Sequence, residues 1–176
     1  MKYIYLFLGA LLLITSCQNK SYYEVMNVNQ QRFGGWELDN ARFLNESYDL
    51  ILLVGDMSAL AQKRSTLKES YLIASEASKN SSDLHFDYKM EAAKQRIKLI
   101  TSLSKDNDDY LHQLDEIAEV NFDRIYAQSM KTKLKELSIK MEDYTANGKN
   151  NRLVELADEV QDCYRNLNIS ISEMGH

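Results

Sequence analysis

Proline is absent from this 176-residue chain, where an average protein carries roughly 5 per cent. Helices therefore lose their commonest interruption, and only glycine and polar caps are left to end them. Glycine occurs six times and histidine three times. There is no phosphate-cradling glycine loop, no His-Glu-x-x-His helix and no serine in a nucleophile elbow. With so few imidazoles, general acid–base chemistry would have to rest on carboxylates. Pairs such as Glu116 with Glu119, or Asp158 with Asp162, stand at helical spacing, but such pairs are ordinary exposed charge on most helices. The chain has 21 basic and 26 acidic side chains, a net charge of −5. That balance disfavours nucleic acid, whose phosphates need clustered Lys and Arg.

What is present begins at the N-terminus. Lys2 precedes an apolar run, Tyr3 to Leu13, which has the length of a secretory h-region and falls short of the ~20 residues that span a bilayer. Ile14, Thr15, Ser16 and Cys17 follow: an aliphatic residue, two small residues and a cysteine. This N-terminus resembles that of bacterial lipoproteins. The resemblance covers residues 1–17 and implies removal of residues 1–16, attachment of a diacylglyceryl group to the Cys17 thiol, and acylation of the new amine. Two or more acyl chains hold a protein to a bilayer persistently, where one holds it only marginally. Gln18 is not the aspartate that typically retains such proteins at an inner membrane, and residues 18–21 carry no acid of the kind that sends some of them to the cell surface. In a Gram-negative host the resemblance thus implies an outer-membrane protein facing the periplasm. An uncleaved signal anchor, or a signal peptide with an incidental cysteine, are the other readings, and the small pair Thr15-Ser16 argues against both. Loss of the leader removes Lys2 and no acid, moving the net charge from −5 to −6, so attraction to anionic lipid adds nothing to the acyl anchor.

The rest of the chain reads as helix. Residues 17–35 are expected to form a lipidated, polar tether with a reach of roughly 20 to 25 Å if flexible. A short helix fits inside it, since Ser21 and Glu24 have capping-box spacing and Gly34-Gly35 would end it. Residues 36–176 are expected to form one domain, large enough to bury a core without metal or disulfide. The predicted fold class is all-α, an elongated antiparallel bundle of about four helices of unequal length. The first runs from about Glu37 to Ser78, with Ala41, Leu44, Tyr48 and Ile51 on one face and a break or kink at Gly55-Asp56. The cap formers at 80–83 begin the second, in which Phe86, Met90, Ala93, Ile97 and Ile100 keep coiled-coil heptad spacing. The third runs from about Asp108 to Thr145 and stops at Asn147-Gly148; the fourth begins near Asn150. A tetratricopeptide-type solenoid is the alternative, although no repeat of fixed period emerges.

Several residues invite a functional reading. Leu50, Ile51, Leu52, Leu53 and Val54 are apolar on every side of a helix, which marks either the centre of the bundle or a candidate interface for a partner or a second copy. Trp36, the only tryptophan, either staples a helix start or inserts at the membrane interface. Cys163 shares the stripe Leu153, Leu156, Val160 and Leu167 and is expected in the core; no basic neighbour marks it as a nucleophile. Asp109, His112 and Glu116 lie a turn apart on one face. A di-iron carboxylate bundle needs two Glu-x-x-His helices and two further glutamates, and no second pair exists: His85 follows Asp83 at the wrong spacing, and His176 is terminal. The expectation is a solvated charged face, with no catalytic, metal or cofactor residues.

Two function classes follow. The first is a membrane-tethered, non-enzymatic helical interaction module of the bacterial cell envelope, a scaffold, adaptor or complex subunit binding another protein. The second is a helical bundle that binds or senses a small ligand, haem or metal between its helices. A hydrolase built on paired carboxylates is a distant third.

Overall fold

The computed structural model describes residues 21–174. Six α-helices and no strand occur among them: α1 Tyr22–Arg32, α2 Gly35–Arg64, α3 Lys68–Lys94, α4 Lys105–Asp115, α5 Glu119–Asn147 and α6 Asn151–Met174. The signal segment with Cys17 and Gln18, and His176 at the other end, lie outside the described residues. The chain is all-α, and its helices pack on one another as a bundle. α2 is the central element, touching α1, α3, α4 and α5, while α6 packs against α5 and α3.

The helix divisions differ from the expected four. Residues 22–32 are not tether. Ser21 and Glu24 form the capping box, with the Glu24 N–H donating to Ser21 Oγ at 3.3 Å and the Ser21 N–H to Glu24 Oε2 at 2.9 Å. The helix they start buries Val25, Met26 and Asn29, so α1 belongs to the bundle. The turn into α2 passes through Gly35 at φ +53°, where a side chain would be strained.

α2 then runs without a break through Gly55. That glycine serves close packing: a Cβ there would lie 3.2 Å from Ser81 Cβ of α3. The polar cluster at 80–83, expected to cap a helix, sits inside α3 and ties it to α6. The Asn80 amide donates to the Cys163 carbonyl at 3.1 Å, and Ser81 Oγ lies 2.8 Å from the Tyr164 hydroxyl. The real break is at residues 65–67, where Leu67 offers no capping side chain and Asp123 of α5 supplies the missing acceptor.

The heptad stripe also fails. Phe86, Met90 and Ala93 are exposed, and the face α3 buries is Ile73, Ala74, Ala77, Ser81, Leu84, Tyr88 and Ala92. Small residues along that face let α3 approach α2 closely. α3 ends at Lys94 in a Schellman motif: the Ile97 N–H donates to Ala92 O at 2.8 Å and the Arg96 N–H to Ala93 O at 3.1 Å, with Arg96 at φ +57°. Ile97 and Ile100 are buried, but on irregular chain rather than helix.

That irregular segment, residues 97–104, needs partners for its buried backbone, and side chains of α1 and α2 provide them. Asn29 binds both polar groups of the Lys98 peptide, Nδ2 to the carbonyl at 2.8 Å and the N–H to Oδ1 at 2.9 Å. Asn45 donates to the same carbonyl at 3.0 Å and accepts from the Ile100 N–H at 2.9 Å. Asp49 accepts from the Ser104 N–H and from the Asn107 amide, each at 2.8 Å. Two amides and a carboxylate stand in for the neighbouring strand this segment lacks.

A long helix over 108–145 was expected, and the structure has two. α4 stops at Asp115 and α5 starts at Glu119. Arg64, at the end of α2, binds the carbonyls exposed by the interruption: Nη1 donates to Asp115 O, and Nη2 to Ile117 O at 2.5 Å. Its guanidinium also lies 4.6 Å from the Phe122 ring centroid, a cation–π contact.

Tyrosines fill much of the core. Several of their hydroxyls are satisfied inside, Tyr88 on Ser47 at 3.0 Å, Tyr164 on Ser81, and Tyr48 on His85. Burial raises the pKa of each of these phenols, Tyr48 to about 12.

Candidate functional site

Two grooves open beside α2 and α5, and both are bordered by Glu46 and Lys140. These two form a 2.8 Å ion pair across the helices, each about one-third exposed (34% and 33%).

The first groove holds about 420 Å³. Phe43 and Tyr144 form its floor, stacked with ring centroids 3.8 Å apart and planes 18° from parallel. The Tyr144 hydroxyl donates to Asn40 Oδ1 at 2.6 Å. Burial first pushes that phenol up to about 12, the Asn150 backbone opposing and Asp39 adding to the shift, so it stays a donor across the physiological range. One wall is the α5–α6 turn, where Gly148 passes directly over the ring: a Cβ there would lie 2.5 Å from Tyr144 Cε1. Trp36 stands at the mouth, 48% exposed. The rim carries Asp39 and Arg42, 3.4 Å apart, and Asp143, whose Oδ1 accepts from Asn147 at 3.0 Å.

The second groove, about 470 Å³, lies between α1, the start of α4 and α5. Its lysines are engaged. Lys105 pairs with Asp109 at 3.0 Å, and Lys133 pairs with Glu136 at 3.0 Å while sitting 4.7 Å from the Tyr110 ring centroid. The Tyr22 hydroxyl donates to Glu46 Oε1 at 3.3 Å, and burial together with that carboxylate raises its pKa.

Among the described residues, neither groove is lined by a histidine or a cysteine. Cys163 is half-buried at the edge of the α6 stripe, the core position being taken by Tyr164. Burial, with Asp83 and Glu76 nearby, pushes its thiol up, the opposite of nucleophile activation. Asp109 is held by Lys105, and His112 lies 3.8 Å from Asp108 on an exposed face. Among the described residues, no three of His, Cys, Asp and Glu are placed to hold one metal ion.

Of the candidate interface, Leu50, Ile51, Leu53 and Val54 are buried and Leu52 half-buried. The segment is all-round apolar because α2 is surrounded by four other helices, so the core reading replaces the docking one. Trp36 is no staple. With Gly34 as N-cap, the staple position N′ belongs to Phe33, which is half-buried and packs against the core; the indole instead borders the first groove. The residues that went unnoticed are Asn40, which lines the first groove, and Asn29 and Asn45, which hold residues 97–104; all three are polar positions inside apolar faces. Their signal in the sequence was that each interrupts a helical stripe.

Fold and grooves together define a small all-α bundle with two polar clefts, the first floored by aromatic rings. The chain belongs to the DUF4142 family, a domain of unknown function, whose match spans residues 33–164. No curated protein and no solved structure matches it. The family match begins after α1, so the helix that helps hold the 97–104 segment lies outside it.

Proposed function

We propose that this chain is a lipid-anchored, non-enzymatic interaction module of the bacterial cell envelope, tethered through Cys17 at the outer membrane, facing the periplasm and binding another protein through the outer face of α3. The observation that carries the reading is the heptad stripe itself. Phe86 and Met90 are 64% and 46% exposed, and with Ala93 they repeat at the four-and-three spacing of a coiled-coil seam. Nothing within the bundle covers them. The occupant of that seam is an amphipathic helix of a partner protein, since knobs at this spacing match a second helix rather than a strand or a small molecule. The tether is supported by the lipobox-like residues 14–17. No helix among the described residues is long and apolar enough to cross a membrane.

Crosslinking in intact cells followed by pulldown tests the partner, with Phe86→Glu/Met90→Glu as the comparison. The double variant should keep the helical circular-dichroism signal and lose the crosslinked species. A partner retained by a folded double variant overturns the α3 seam. Membrane fractionation tests the tether: Cys17→Ser should move to the soluble fraction after alkaline washing, and its retention in the membrane overturns the anchor. A mass by light scattering that halves in the double variant would make the partner a second copy and overturn the heterologous reading.

A further inference from the structure

We propose that the groove between α2 and α5 binds a neutral oligosaccharide, with Trp36 as its stacking platform. This inference stands independently of the tether and of the α3 seam, because no residue of α3 lines the groove.

The composition of the lining points to the ligand class. Among the described residues, no Ala, Val, Leu, Ile or Met borders the groove; its apolar side chains are Trp36, Phe43 and Tyr144. An acyl chain is recognised through a largely apolar pocket, whereas six of the twelve residues here are charged. An ion is recognised through unbalanced charge. Here three carboxylates, Asp39, Glu46 and Asp143, face three cations, Arg42, Lys140 and Lys149, and the set is neutral. A sugar ring has the remaining combination, an apolar C–H face bounded by hydroxyls that both donate and accept. Its face lies on an aromatic ring, and its edge meets carboxylates as acceptors and Arg or amide groups as donors.

The geometry is prepared for such a ring. Trp36, Asp39, Asn40 and Phe43 recur at helical spacing, so they share one face of α2 over about 10 Å, the length of a disaccharide. The floor is fixed before any ligand arrives: Phe43 is stacked on Tyr144, and Tyr144 is locked by its hydrogen bond to Asn40. A preformed floor lowers the ordering cost of binding. Gly148 leaves the wall without a side chain exactly where one would press the Tyr144 ring out of position. The half-exposed indole is the one aromatic surface at the mouth still open to water, and covering it rewards a stacked ring.

Trp36 is the only tryptophan in the chain, so its emission reports on this groove alone. Chitotetraose and maltotetraose are titrated into the purified full-length chain, with a charged tetrapeptide, Glu-Ala-Ala-Lys, in parallel. At least one sugar should change the emission saturably, and the peptide should not. Asp39→Ala and Asp143→Ala, both at exposed positions, should each weaken sugar binding by about tenfold, the loss expected for one charge-assisted hydrogen bond. Val120→Ser, at an exposed position outside the groove, should leave it unchanged. By calorimetry, Trp36→Ala should abolish the binding heat while retaining the helical signal. The proposal is overturned if neither sugar gives a saturable change, if the peptide gives the same response, or if folded Trp36→Ala binds sugar as the parent does.

Discussion

Asp123 of α5 caps a helix to which it does not belong. Its Oδ2 accepts from the Thr66 N–H at 3.0 Å, the Thr66 hydroxyl at 2.7 Å and the Leu67 N–H at 3.3 Å, serving the free donors at the start of α3. Burial alone would raise this carboxyl, but the bonds from the Thr66 side chain and backbone, with the Ser70 and Ser65 hydroxyls close by, outweigh it and hold the group below its ordinary value. Asp123→Ala should therefore destabilise the fold by about 1 to 3 kcal/mol, the range for losing a cap and leaving buried donors unpaired. The sign of the pH effect follows. The folded carboxylate binds its proton less readily than the unfolded one, so its stabilisation is complete above about pH 3.8 and is lost as pH falls through the lower folded value. Urea unfolding of parent and variant at pH 6 and pH 3 measures this; an equal difference at both values contradicts it.

Asn45 binds the backbone of residues 98 and 100 from the middle of α2. Asn45→Leu keeps the volume and leaves the Ile100 N–H buried without an acceptor, which should cost about 1 to 3 kcal/mol. Hydrogen exchange locates the damage: the Ile100 amide should exchange faster, while amides of α2 keep their protection. Uniform loss of protection across both would mean that Asn45 holds α2 itself.

Arg96 occupies the left-handed position of the α3 terminus with φ +57°, a conformation costing an L-residue roughly 1 kcal/mol that glycine does not incur. Arg96→Gly should stabilise the protein by up to about 1 kcal/mol, a rise in melting temperature of about 2–4 °C for a chain of this size. A fall in melting temperature would show that the arginine side chain contributes more than its backbone costs.

His85 Nδ1 is hydrogen-bonded to the hydroxyl of Tyr48, whose phenol, raised to about 12 by burial, keeps its proton. Burial first and Lys89 second push the imidazole below its ordinary 6.5. The unfolded chain therefore takes up this proton first, so stability falls as pH drops below 6.5 until the folded His85 also titrates. An NMR titration should place its midpoint under 6.5, and Lys89→Gln should move that midpoint upward. An unchanged midpoint would leave burial as the whole cause.

How much of this was readable beforehand depends on the kind of residue. The capping box at Ser21 and Glu24, the stop at Gly148 and the α6 positions Leu153, Leu156, Val160 and Leu167 are local patterns, and they appear where the spacing put them. Gly55 and the cluster at 80–83 misled, because a glycine or a serine in a helix can mean either an end or a close approach. Only the neighbouring helix, with Ser81 against Gly55 and Tyr164 against Ser81, decides which. The stripe through Phe86 and Met90 misled for a related reason: period alone cannot say whether an apolar face looks inward. The groove at Trp36 was invisible, since its two sides, residues 36–46 and 140–149, lie at least 94 positions apart along the chain.

The sequence by itself determined the fold class, all-α, since apolar residues recur at helical period and no proline interrupts them. It also determined the ends of helices wherever the capping groups are close neighbours. The tertiary structure alone decided where the long helices break, which faces are covered, and how residues 97–104 stay buried without a strand. Those outcomes rest on groups such as Arg64, Asp123 and Asn45, whose hydrogen-bond partners come from distant parts of the chain and meet only when the bundle closes.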